Sequence, residues 1–242
     1  MMNEDEQVEL LSKVNIFESL SREEIRELQK EFLRRNAERN LQEGEVFYRP
    51  NEPDGKLFIL KKGRVRIYRT EGSREFTIEV VDAGTVFGEM AFTTHHLREA
   101  YAQATEPSIV IAMARADVER LILEKPQVGV QMVSLLSEKL QYYETRMEDI
   151  TLKEVPARLA SLILMLIESE GLQMPGEIRI PHRYTHQHLG TMIGTNREAV
   201  TRAFGRLQDE GAVQLKRRLI YVNDLEALER AAGRVLHDET YP

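Results

Sequence analysis

The sequence predicts an α+β chain: an N-terminal β jelly roll, one long helix, and a C-terminal winged helix-turn-helix. Three observations predict it. Between Glu38 and Ala114, short runs of β-formers are divided by glycines at near-regular intervals, which suits a sandwich or jelly roll. Val133, Leu136, Leu140, Tyr143, Met147 and Ile150 follow a 3-4-3-4-3 spacing, the seam of a coiled coil. From Thr185 to Val222, two short helical patterns around Gly194 lead into a basic hairpin. The expected domains are 1–125 for N-terminal helices and jelly roll, 126–152 for the dimerisation helix and hinge, and 153–242 for the winged helix-turn-helix.

The elements follow in order. Residues 7–35 are predicted helical from Val8, Leu11, Val14, Ile25 and Leu28, with a capping box of Ser21 and Glu24. Five strands are predicted at Val46–Tyr48, Leu57–Leu60, Val65–Tyr68, Phe76–Val81 and Ile109–Met113, with turns at Gly44, Gly55, Gly63, Gly72 and Gly84. The 3-4 stripe from Val133 to Ile150 either pairs with a second copy of the chain or packs on the chain's own sheet, and the strict spacing favours a homodimer. Thr151 to Pro156 reads as a hinge, and Ala157 to Ile167 opens the last domain. A closing helix from Asp224 to Leu236 is expected to turn Leu225, Leu228, Ala232 and Val235 inward.

The helix-turn-helix carries the most chemistry. A first helix opens at Thr185, Gly194 and Thr195 make the turn, and Thr195 with Glu198 forms a capping box for the second helix. At 100° per residue Val200, Ala203, Phe204 and Leu207 share one arc of that helix, and Arg197, Glu198, Thr201 and Arg202 the other. An arginine reads guanine through two hydrogen bonds and a glutamate accepts one from cytosine, so Arg197, Glu198 and Arg202 are the candidate base readers on double-stranded DNA. Thr185, Thr195, Thr201 and the hairpin tip Lys216, Arg217 and Arg218 are the candidate phosphate contacts. Net charge is −7, yet from His182 to Ile220 seven basic residues face three acidic ones, a polarity that orients this end toward DNA.

Composition excludes several classes. The chain has no cysteine, which removes disulfides and cysteine-held zinc or iron–sulfur clusters. No apolar run reaches membrane-spanning length and Met1 is followed by acidic residues, so a cytoplasmic protein without membrane contact is expected. No nucleophile elbow, Walker loop or dinucleotide fingerprint occurs, and no catalytic residue is expected. His95 and His96 beside Glu89 and Glu99 match no metal-site spacing. His186 and His188 lie two apart on a helix and do not share a face, so no metal is expected there either.

On these residues the chain resembles the catabolite-activator/fumarate-nitrate-reductase (CRP/FNR) family of bacterial transcription regulators over nearly its whole length. The resemblance rests on the Arg197-Glu198 pair with Arg202 four residues beyond, and on Gly88 to Ala100, which is similar to the family's phosphate-binding cassette. It implies a cyclic-nucleotide-binding-like jelly roll, dimerisation along the long helix, and half-sites similar to TGTGA. It also implies a role as an activator that recruits RNA polymerase through surface loops, Glu168 to Pro175 being one candidate. The family's oxygen-sensing iron–sulfur branch is excluded by the missing cysteines.

In the cassette, Gly88, Glu89 and Arg98 match the positions that hold the ribose and cyclic phosphate in the family's nucleotide binders. The hydroxyl residue that follows the arginine is replaced by Glu99, and Tyr143 and Glu144 stand where the cyclic-AMP-responsive members carry a polar pair on the helix. A carboxylate about 4 Å from a phosphate at an effective dielectric of ~20 repels it by roughly 4 kcal/mol. Cyclic AMP is therefore disfavoured as the effector. Two readings remain beside it: a different small ligand, or a pocket closed by a Glu89–Arg98 pair that holds a competent dimer with no effector. The second is the expectation.

Overall fold

The computed structural model describes residues 4–35, 38–52, 55–92, 98–217 and 219–233. His95, His96, Arg218 and Val235 lie outside the described residues. The chain forms two compact units, Met1–Tyr142 and Tyr143–Pro242.

The first unit opens with α1 (Glu4–Ser12), a 3-10 turn (Asn15–Phe17) and α2 (Arg22–Arg35). The helical region expected over 7–35, with a helix start at Ser21, is two helices joined by the 3-10 turn. Val14, Ile16, Phe17 and Leu20 leave helical spacing, and all four are buried where the chain folds back. The Ser21–Glu24 box forms: the Glu24 amide donates to Ser21 Oγ at 3.3 Å and the Ser21 amide to Glu24 at 2.9 Å. The Lys125 ammonium, 2.8 Å from Glu24, and the Ser21 donors together hold that carboxyl at a pKa of about 2.

Eight strands follow: β1 (Glu38–Leu41), β2 (Val46–Tyr48), β3 (Lys56–Lys62), β4 (Arg64–Glu71), β5 (Arg74–Asp82), β6 (Val86–Phe87), β7 (Tyr101–Ala104) and β8 (Ser108–Ala114). They pair antiparallel into two four-stranded sheets, ordered β1-β8-β3-β6 and β2-β7-β4-β5, which is the jelly roll expected. Gly44, Gly63 and Gly84 sit in its turns at φ +82°, +87° and +89°. Phe47, Tyr48, Phe58 and Phe87 form an aromatic cluster inside it, with neighbouring rings 5.0–5.8 Å apart.

Helix α3 (Arg115–Glu124) leads into α4 (Pro126–Leu152). The face of α4 that packs on the first unit's core carries Val128, Met132 and Leu135. The 3-4 stripe is a different face. Val133 is 65% exposed, Leu140 60% and Met147 65%; Leu136 and Ile150 are exposed as well, and Tyr143 is half-buried. The stripe is therefore not consumed by packing on the chain's own sheet.

The second unit continues from α4 through Lys153 and Glu154 into α5 (Val155–Glu170), with Pro156 in the first turn where its missing amide is harmless. Then come β9 (Leu172–Met174), β10 (Glu177–Arg179), α6 (His186–Ile193), α7 (Arg197–Asp209), β11 (Val213–Lys216), β12 (Leu219–Val222) and α8 (Leu225–Ala231). Its sheet has the order β11-β12-β10-β9. Leu159, Ile163 and Leu166 of α5 are buried together with Val200, Phe204 and Leu207 of α7.

Two expectations are corrected here. Leu225 is 41% exposed rather than inward, because α8 starts at that residue and buries Ala227 and Leu228 instead. The segment Glu168–Pro175 is not a plain loop, since α5 runs to Glu170 and β9 takes residues 172–174.

Candidate functional site

Helix α6 begins at its N-cap Thr185, whose hydroxyl accepts from the His188 amide at 3.1 Å. It ends at Gly194 in the left-handed conformation, φ +67°, which a side chain would strain and which turns the chain sharply into α7. The N-cap of α7 is Asn196, whose side-chain oxygen accepts from the Ala199 amide at 2.8 Å. The expected Thr195–Glu198 box is thus corrected: the helix starts one residue later, and Glu198 is left in the exposed first turn, where its charge suits the helix dipole.

Arg197, Glu198, Thr201 and Arg202 are all exposed on α7, opposite buried Val200, Ala203, Phe204 and Leu207. Arg197, Glu198 and Arg202 make no side-chain hydrogen bond or ion pair with another described residue, so their donors and acceptors face solvent. The Thr201 hydroxyl differs. It donates to the Arg197 carbonyl at 2.9 Å and sits 2.8 Å from His186 Nδ1.

Beyond α7, β11 and β12 form a hairpin in register from Val213–Val222 to Lys216–Leu219. Arg217 at its tip takes φ +52°, uncommon for a side-chain-bearing residue, and is exposed. Lys216 is held 2.8 Å from Glu177 of β10 and lies over the Tyr221 ring. No sequence signal marked Glu177, which meets Lys216 only through the β10–β12–β11 sheet.

The pocket expected in the jelly roll is arranged otherwise than the sequence suggested. Glu89 opens a 3-10 turn (Glu89–Phe92) directly after β6. It does not pair with Arg98. The Arg98 guanidinium is 2% exposed, donates to the Gly88 carbonyl at 2.8 Å and to the Lys56 carbonyl, and lies 4.6 Å and 5.0 Å over the Tyr48 and Phe58 rings. Gly88 makes this fit possible: at φ +86°, an added Cβ would come 2.9 Å from Arg98 and 3.0 Å from Phe58.

Glu89 pairs instead with Lys139 of α4, at 3.2 Å, and the same ammonium is 3.0 Å from Glu79 of β5. Lys139 is 8% exposed. Burial alone would lower its pKa, but the charges of Glu79 and Glu89 outweigh burial and raise it. Glu99 turns outward and pairs with Arg69, both side chains being half exposed. The repulsion expected from Glu99 is thereby relieved. Tyr143 is half-buried and Glu144 exposed, one helical turn beyond Lys139. Sequence reasoning missed Lys139, Glu79 and Arg69.

The two halves of this architecture are matched separately by known families. The sequence model of the cyclic nucleotide-binding domain matches residues 38–125, and that of the Crp-like helix-turn-helix domain matches residues 157–231. The cyclic AMP receptor protein of Thermus thermophilus is 31% identical over 177 residues, covering 73% of this chain and 79% of that relative. The chain belongs to the CRP/FNR family. It is a transcription regulator with a helix-turn-helix DNA-binding domain, and not an enzyme.

Within the CRP/FNR family, the CRP-like cAMP-activated global transcriptional regulator of Mycobacterium tuberculosis is 25% identical over 225 residues, 93% of this chain and 99% of the relative. Among solved structures, a mutant of CooA from Carboxydothermus hydrogenoformans has a TM-score of 0.73 at 24% identity, covering 83% of this chain and 89% of that one. FixK2 from Bradyrhizobium japonicum has a TM-score of 0.69 at 21% identity, covering 81% and 96%. At these identities the structures speak for the fold. Among the described residues, no helix is long and apolar enough to cross a membrane.

Proposed function

We propose that this regulator is a cytoplasmic homodimer that binds a palindromic operator with TGTGA-like half-sites, without a diffusible effector, and acts chiefly as an activator. One observation carries the effector-free reading. The two charged side chains expected to hold the ribose and the phosphate are already engaged within the chain: Glu89 by Lys139, and Arg98 by two carbonyls and two aromatic rings. A cyclic nucleotide needs Glu89 for its ribose and Arg98 for its phosphate, and would have to compete with the Lys139 ammonium for the first and with the Gly88 and Lys56 carbonyls for the second. The residues present therefore fit cyclic AMP poorly.

Arg197 and Arg202 are the proposed guanine readers and Glu198 the cytosine reader, supported by their exposed, unengaged side chains on α7. Thr185, Thr195, Lys216, Arg217 and Arg218 are proposed to meet phosphates, with Thr201 fixing the helix pair. The exposed α4 stripe supports a parallel dimer, which sets two recognition helices one DNA turn apart. RNA polymerase is the proposed protein partner in activation, the exposed residues around Glu168 and Ser169 being one candidate contact.

Selection from a random-sequence DNA library with nucleotide-free protein tests this reading. Inverted repeats of TGTGA-like half-sites are expected. Enrichment that begins only when cyclic AMP is added would overturn the effector-free part.

A further inference from the structure

Glu170 is the last residue of α5, and two physical effects oppose a carboxylate there. A negative charge at a helix C-terminus opposes the helix dipole, and a buried carboxylate is costly unless donors replace its water. The Glu170 side chain is nonetheless only 6% exposed. Both of its oxygens are engaged. The Tyr184 hydroxyl donates to Oε1 at 2.6 Å, and His182 Nδ1 donates to Oε2. An ionised carboxylate only accepts, so Nδ1 carries the proton. Residues 12 and 14 positions further along the chain thus close on the end of α5.

Both donors belong to one strap, residues 180–185, which joins β10 to α6 and lies in no helix or strand. It starts where the Ile180 amide donates to the Ile220 carbonyl at 2.9 Å and ends at Thr185, the N-cap of α6. Its side chains alternate as in extended chain: His182 and Tyr184 are half-buried, Arg183 and Thr185 exposed. With a period of two, fixing His182 and Tyr184 also fixes the direction of Arg183. Arg183 makes no side-chain hydrogen bond or ion pair with another described residue, and it stands two residues before Thr185, one of the proposed phosphate contacts. We infer that Glu170 is a positioning residue for DNA binding: its hold on His182 and Tyr184 turns Arg183 toward the DNA backbone. On a free strap, an arginine would lose chain freedom on reaching a phosphate; on a held strap the fold has already ordered it. Glu170 itself touches no DNA. The inference rests on DNA binding by the helix-turn-helix, and on neither the TGTGA half-site nor the effector-free reading.

The test uses full-length protein and fluorescence anisotropy on the duplex recovered by the library selection. Cyclic AMP is present in excess in every sample, so that an effector requirement does not mask binding. The readout is the slope of log affinity against log salt, which counts the phosphates neutralised. Arg183→Ala should lower that slope by about 1 per chain. Glu170→Ala should lower it by about the same amount, although it removes a negative charge and would by simple electrostatics favour DNA. The double variant should lower it no further, because the two residues act as one unit. Circular dichroism should be unchanged in all three.

An unchanged slope in Glu170→Ala, whatever its affinity, would make Glu170 a packing residue and overturn the inference. So would an unchanged slope in Arg183→Ala, or a double variant whose loss is the sum of the two. Phosphate contacts carry no sequence information, so a scrambled duplex at low salt reads the same differences if the selection recovers no operator. Should Glu170→Ala not fold, Tyr184→Phe keeps the ring and removes one of the two donors. Its affinity should then fall about twofold or more on all sequences alike, the low end of couplings between residues in contact, and unchanged affinity would sink the inference.

Discussion

His186 Nδ1 lies 2.8 Å from the Thr201 hydroxyl, joining the first helix of the helix-turn-helix to the recognition helix. Because Thr201 gives its proton to the Arg197 carbonyl, it accepts from the imidazole, and Nδ1 is the protonated nitrogen. Nε2 is then a bare lone pair, buried without a hydrogen bond to any described residue, and the ring stacks on Phe204 at 5.5 Å. Burial first, and then the nearby Arg197 charge, lower the His186 pKa, so the site holds the neutral ring.

A pH dependence follows. The folded pKa lies below the unfolded value of ~6.5, so the stabilisation is fully present above that pH and is lost as pH falls through the lowered folded value. Thermal unfolding of the wild type between pH 7.5 and 5, set against His186→Ala, checks this. The variant should be less stable by about 1–2 kcal/mol at pH 7.5, the sum of a hydrogen bond and a ring contact, and should lose less on acidification. Equal acid sensitivity in both proteins would contradict the assignment.

The Lys216–Glu177 pair predicts a gain. Glu177→Gln frees the wing ammonium and removes a nearby negative charge. DNA affinity should rise on all sequences alike, by about 0.2–1 kcal/mol as for other exposed pairs, and the salt dependence should steepen. Lys216→Ala should do the reverse, lowering the salt slope by about 1. Anisotropy titrations at several salt concentrations read both.

Arg197 should behave differently from Lys216. Its alanine variant is expected to lose about 1–3 kcal/mol on the cognate site and to relax specificity at one base pair. Competition among single-base operator variants measures this, and uniform weakening would make Arg197 a phosphate contact.

The α4 stripe predicts dimer loss. Leu140→Lys places a charge at a seam position that is 60% exposed in the single chain and buried in the proposed dimer. Two leucines removed from an apolar seam weaken association by about 3–6 kcal/mol per dimer. Sedimentation equilibrium should show monomer at micromolar concentration, with the fold intact by circular dichroism.

What was legible in the sequence was what repeats locally. The jelly-roll turns were marked by Gly44, Gly63 and Gly84, the stripe by its 3-4 spacing, and the recognition helix by the opposition of Val200 and Phe204 to Arg197 and Arg202. Strands β1, β6, β7, β9 and β10 were missed because two to four residues give little period to read. The cap of α7 shifted from Thr195 to Asn196 because both side chains can cap, and only backbone geometry chooses between them. The pocket was the least legible part. Glu89 and Arg98 are near in sequence and of opposite charge, which invites pairing them. Their actual partners, Lys139 for Glu89 and the Gly88 and Lys56 carbonyls for Arg98, are set by how sheet, turn and helix close on one another.

The most direct test of the account is an anisotropy titration of a TGTGA-type palindrome and a scrambled duplex by wild-type protein, at fixed salt, with and without cyclic AMP. The account predicts tight binding of the palindrome, with the same midpoint in both conditions, and a preference of about 10³-fold or more over the scrambled duplex. Specific binding that appears only with cyclic AMP would contradict it, because Lys139 and the carbonyls around Arg98 would then yield to the nucleotide after all.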